Sequence, residues 1–121
     1  MVWDPARITP QPWPSVAAFY RYIEERNKDF GPLLRLVDHV ASRPYAASIA
    51  AATSGTALLV APPGETDWVR RALRVDVDLG GSIRFTLPSA TDARPTTFEC
   101  EGDIVVAFEA RLRKSGWIGA R

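Results

Sequence analysis

Two stretches near the start of the chain repeat apolar residues at helical spacing. Val16, Phe19, Tyr20 and Ile23 fall three and four apart behind Pro14 and Ser15, which suit a first helical turn, so a helix is predicted from Pro14 to about Lys28. Glu24, Glu25, Arg26 and Lys28 fall on its solvent side or at its end. Asp29-Phe30-Gly31-Pro32 interrupts the pattern, and Leu33, Leu36, Val37 and Val40 restart it, with Arg35, Asp38 and His39 off the stripe. A connection this short predicts an antiparallel αα-hairpin.

Residues 44–54 read two ways. Pro44, five alanines in nine residues, and Gly55 just beyond the end favour a short third helix. Alternation of Tyr45, Ala47, Ile49 and Ala51 into Ser54-Gly55 favours a strand entering a hairpin. The alanine content tips the reading to helix.

Beyond Gly55 the period becomes two. Ala57 to Val60 is a buried strand, closed by Pro62-Pro63-Gly64. Leu73, Val75, Val77 and Leu79 alternate with Arg74, Asp76 and Asp78, Gly80-Gly81 reverses the chain, and Ile83, Phe85 and Leu87 return it. A polar loop over 88–95 leads to a fourth strand from Thr96 to Glu101. This is an antiparallel meander of about four strands with one wet face. Asp103 then caps a closing helix whose Ile104, Val105, Phe108 and Leu112 share a face, with Arg111, Arg113 and Lys114 near the end that favours cations. The predicted architecture is one α+β domain over residues 1–121: an αα-hairpin with a third short helix, the meander, and a C-terminal helix.

Residues 1–13 stand apart. Pro5, Pro10 and Pro12 predict an extended arm, and its Trp3 and Trp13 pin it to the domain by burying their rings. The rival reading holds the same two rings out to grip a partner.

Composition narrows the setting. Fifteen Lys and Arg against fourteen Asp and Glu leave a formal charge of +1. That gives no global attraction to nucleic acid or anionic lipid, and too little self-repulsion to oppose a protein partner or a second copy. The single cysteine, Cys100, has no intramolecular partner, and the first residues lack a basic segment followed by an apolar one. Both point to the cytoplasm of a bacterial-type cell. The longest apolar run, near residues 57–63, is too short to cross a bilayer, so no membrane association is expected.

Candidate chemistry is sparse. His39 and Asp38 are adjacent on a helix and do not face one another. A Cys100–His39 nucleophilic pair would need the two to meet in space with a third group orienting the base. One histidine and one cysteine cannot supply a zinc site, and Asp76 and Asp78, on one strand face, read as solvated carboxylates among arginines. Gly80-Gly81 lacks the lysine and helix of a phosphate loop, and Thr53-Ser54-Gly55 is no nucleophile elbow. No catalytic residue, metal or cofactor is assigned.

The most suggestive cluster is Trp68, Arg70, Arg71 and Arg74 entering the long strand, with Arg84 on the next strand and Arg111-Leu112-Arg113-Lys114 able to extend it. Aromatic and guanidinium groups on a sheet face can hold single-stranded nucleic acid, but Glu65, Asp67, Asp76 and Asp78 cancel much of that field. The leading expectation is a non-enzymatic protein-binding domain, immunity- or antitoxin-like, that masks a partner through Trp3, Trp13, Trp68, Arg70, Arg71, Arg74 and Arg84. One alternative is a small-ligand binder or enzyme with a pocket between helices and sheet, lined by Tyr20, Tyr22, Arg35, His39 and Tyr45. The other is a nucleic-acid binder using the arginine face.

Overall fold

The computed structural model describes residues 8–88 and 96–119. Helix α1 spans Trp13–Arg26, starting one residue before the prolines suggested. Pro12 takes the capping position and Pro14 the first turn, where a missing N–H leaves no bond unmade. A short 3₁₀ turn over Lys28–Phe30, its Asn27 side chain accepting from the Asp29 N–H at 3.0 Å, leads into helix α2, Gly31–Ala41. The two helices pack against each other, and on their solvent side Arg21 reaches both carboxylate oxygens of Asp38 at 3.1 and 3.2 Å.

The ambiguous stretch resolves against the helix reading. Pro44–Ser48 is a 3₁₀ turn, and Ala50–Ser54 is strand β1, paired antiparallel with β2, Ala57–Ala61. Among the described residues the sheet therefore has five strands where about four were expected. Alanine's helix propensity, a few tenths of a kcal/mol per residue over a β-former, is outweighed by a hairpin that gives β2 a second hydrogen-bonded neighbour. Gly55, at φ 60°, makes the tight reversal between them. β3 is Leu73–Val77, β4 Ile83–Thr86 and β5 Thr97–Glu99, in the order β1-β2-β3-β4-β5 with every neighbouring pair antiparallel. The long strand stops at Val77. Leu79, expected to continue its apolar face, is fully exposed in the turn, where the Gly81 N–H bonds the Asp78 carbonyl.

Helix α3, Ile104–Lys114, closes the chain as expected from Asp103, whose Oδ1 accepts from the Val105 and Val106 N–H groups at 2.8 and 3.1 Å. Arg35 of α2 reaches the other carboxylate oxygen at 3.2 Å. Those contacts hold the Asp103 carboxyl below its usual range, the Val106 N–H foremost.

The main core lies between the helices and one sheet face. Val16, Tyr20, Leu33, Leu36, Val37 and Val40 meet Leu58, Val60, Val75 and Phe85, with Ile104, Phe108 and Leu112 completing it from α3. A second, smaller cluster lies on the opposite face: Trp68 and Ala72, from the segment before β3, cover Ala52, Leu59 and Ala61, with Ile8 packed beside them. The rest of that face, Arg74, Asp76, Arg84, Thr86, Thr97 and Glu99, is polar. At the outer edge of β1 the Gln11 N–H donates to the Ala51 carbonyl at 2.8 Å, so residues 8–12 of the arm lie along the sheet. No helix among the described residues is long and apolar enough to cross a membrane.

Candidate functional site

Helix α3 presents three stripes. Ile104, Phe108 and Leu112 face the core. Glu109 faces α2, and Ala107, Ala110, Arg111 and Lys114 face β5.

On the α2 side three elements converge on one carboxylate. Glu109 Oε2 lies 3.0 Å from His39 Nε2 and accepts from the Tyr45 hydroxyl at 2.7 Å, while its Oε1 sits 3.7 Å from Arg113. Burial pushes the Glu109 carboxyl up, but the bonds from Tyr45 and His39 and the nearby Arg113 charge outweigh it and hold the group below its usual range. The same cluster pushes the Tyr45 phenol well above its normal range, through burial first and the carboxylate second. His39 and Tyr45 were two of five residues expected around a pocket; the structure joins them through Glu109. The other three part company. Tyr20 is buried with its hydroxyl on the Thr56 carbonyl at 3.0 Å, Tyr22 is exposed beneath Arg26, and Arg35 holds Asp103. The three groups on Glu109 satisfy one another, so the cluster joins α2, the 3₁₀ turn and α3.

On the β5 side the surface is concave. An open groove of about 590 Å³ is lined by Phe98, Glu99, Cys100, Glu101, Ala107, Ala110, Arg111 and Lys114. Arg111 and Lys114 also border a neighbouring groove of about 420 Å³, together with Arg71, Leu87, Pro88, Ser115 and Trp117. The floor is aromatic: Phe98 stacks on Phe85 at 5.5 Å between centroids, and the Arg111 guanidinium lies 4.5 Å over the Phe98 ring. Cys100 is half-buried there, its sulfur 4.0 Å from the Glu101 and Gly102 carbonyls. Burial, then the Asp103 and Glu101 carboxylates, push its thiol up, which opposes thiolate formation. His39 turns to Glu109, so Cys100 and His39, neither of which was assigned a catalytic role in the sequence, serve different neighbours.

The residues singled out for partner contact disperse. Trp3 lies outside the described residues. Trp13 is 7% exposed, its ring N–H on the Ile49 carbonyl, and Trp68 is 3% exposed in the smaller cluster. Both rings are spent on packing within the chain. The arginine face is interleaved with acids: Arg74 meets Asp76 at 2.9 Å, Arg84 meets Asp78 at 2.8 Å, and Arg71 lies 3.7 Å from Glu65. Arg70 is exposed on the turn that its own N–H closes on Asp67. Asp76 and Asp78 thus serve as ion-pair partners, and among the described residues no three His, Cys, Asp or Glu side chains are grouped so as to hold a metal ion.

The groove is not legible in the sequence, which singles out only Cys100, Arg111 and Lys114 of its lining. Its signal is the spacing Ala107, Ala110, Arg111, Lys114, a second helical stripe offset from the buried one. A comparison with known protein families, curated proteins and solved structures finds no match to the chain.

Proposed function

We propose that the chain is a non-enzymatic protein-binding module that masks a partner, in the manner of an immunity protein or antitoxin, and that its contact face is the rim where β5 meets α3. The observation that carries this reading is the asymmetry of the two sheet edges. The outer edge of β1 is taken by Gln11, whereas among the described residues no strand lies beyond β5. Exposed strand edges invite pairing with another chain unless something blunts them. Here that edge is bordered by two adjoining grooves containing Trp117 and Arg111, residue types that carry most binding energy at protein interfaces, and Phe98, of a type enriched there. The grooves are open, a shape suited to contact across a surface more than to enclosing a reacting molecule.

A photo-crosslinking amino acid placed at Ala110, with a second at Tyr22 on the far side of the helical layer, tests the assignment in native lysate. A stoichiometric protein adduct from position 110 and none from position 22 supports it. An adduct only from position 22, or none from either, overturns it.

A further inference from the structure

We infer that the β5 rim takes an extended acidic peptide segment, which adds to the sheet as a sixth strand; this rests on the protein-binding reading above and names the chemistry of the partner.

The backbone pattern sets which groups are on offer. The Leu87 N–H donates to the Thr96 carbonyl and the Cys100 N–H to the Ile83 carbonyl, both at 2.8 Å, and Phe98 pairs with Phe85. Residues 96, 98 and 100 therefore turn their backbone groups toward β4. In an antiparallel ladder the alternate residues, Thr97 and Glu99, point theirs outward, and nothing among the described residues pairs with them there. An incoming strand can take up both residues' N–H and C=O groups without displacing anything.

The side chains set what that strand carries. Its alternate residues would face α3, where Ala107 and Ala110 leave room and Arg111 and Lys114 supply positive charge, against Glu101 in the same lining. Lys114 is exposed and has no carboxylate partner among the described residues. The adjoining groove continues the charge: among the described residues its lining contains Arg71, Arg111 and Lys114 and no carboxylate, although Arg71 is shared with Glu65. On the opposite sheet face the new strand would meet Thr97 and Glu99, and Glu99 repels acids. The segment recognised therefore carries acidic side chains at every second position, with neutral or basic residues between them.

The test is fluorescence anisotropy at low salt with a labelled peptide of about eight residues alternating Glu and Thr, a length that spans β5 with a margin. Three further probes are its Gln-for-Glu counterpart, the same acidic peptide N-methylated at alternate amides in either register, and a single-stranded oligonucleotide of equal charge. The acidic peptide should bind about tenfold more tightly than the Gln peptide, and Arg111→Ala with Lys114→Ala should remove most of that preference. Glu99→Pro should weaken binding by about tenfold, because it deletes an outward N–H that β4 does not use, while Glu99→Gln should not weaken it. N-methylation in one register alone should abolish binding, a result that requires no change to the protein. Equal binding of the Glu and Gln peptides, or indifference to N-methylation in both registers, overturns the inference. Tighter binding of the oligonucleotide through Arg111 and Lys114 reassigns the groove to nucleic acid and overturns it as well. If no peptide binds while the adduct from position 110 persists, the sixth-strand inference falls and the protein-binding reading stands; if both fail, both fall.

Discussion

Trp68 separates two uses of an aromatic ring, and its replacement by alanine measures which one the fold makes. The side chain is 3% exposed and covers Ala52, Leu59 and Ala61 together with Ala72. A buried tryptophan removes roughly 200 Å² from water, and at about 25 cal/mol per Å² that is about 5 kcal/mol. This is an upper bound, because an unfolded chain already hides part of the ring. Residues 66–72 can also settle into the space left behind, which reduces the cavity cost, so a loss of about 3–4 kcal/mol is expected. Against a typical domain stability of about 5–15 kcal/mol, the variant should still fold but unfold about 10–15 °C lower. Urea unfolding followed by far-ultraviolet circular dichroism reads the change without depending on the lost fluorophore. Trp68→Phe should recover more than half of the loss, since a smaller ring still covers Leu59. A loss below about 1 kcal/mol for the alanine variant would refute the packing argument, because a ring of that size cannot leave a filled cluster so cheaply.

The Glu109 cluster predicts acid sensitivity. Its carboxyl is held below the usual carboxylate range, so the stability it confers is present above the unfolded value and lost as pH falls through the lower folded one; Glu109→Gln should flatten the acid limb of a stability–pH curve. In a double-mutant cycle, Tyr45→Phe and Glu109→Gln should couple by about 1 kcal/mol, and additive effects would show that the 2.7 Å bond contributes nothing. Tyr20 and Tyr45 both have phenols pushed well above the ordinary range, burial being the larger cause in each, so an alkaline titration at 295 nm should show a tyrosinate step that coincides with unfolding and is halved in Tyr45→Phe. Gly55→Ala should cost about 1 kcal/mol at the β1–β2 turn and Gly55→Asn less, since asparagine tolerates the φ of 60° better; equal losses in thermal denaturation would argue against a backbone cause.

The elements most legible in the sequence were those with a long period and a clean stop. The stripes Val16–Tyr20 and Leu33–Val40, and the Asp103 cap of α3, needed only local chemistry, and they stand where the spacing put them. The strand from Ala50 was not legible, because its cause is not local. Five alanines near it favour a helix in isolation, and only the presence of β2, buried along its whole length and needing a neighbour on each side, decides for extended backbone. Leu79 failed for the opposite reason. Alternation continued past Val77 on paper, but the reversal at Gly80-Gly81 had already begun, with Asp78 taking the bonds of the turn.

The site was less legible than the fold, and the residues show why. A pattern of aromatic and basic side chains cannot say which will be consumed by packing or pairing. Trp13 and Trp68 went inward, and Arg74 and Arg84 found carboxylates two residues away or on the adjoining turn. Conversely, Glu109 gave no hint that His39 and Tyr45, about seventy and sixty residues earlier, would close on it, since nothing in the spacing of the three is periodic. The edge of β5 is still harder to read from sequence, because being an edge is a property of strand order. Its short length is a common protection against stray pairing, yet among the described residues nothing takes the outward backbone groups of Thr97 and Glu99, while the Gln11 N–H takes the Ala51 carbonyl at the other edge. On the sixth-strand proposal, the edge bridged by Gln11 is closed to pairing and the edge of β5 is the one that accepts it.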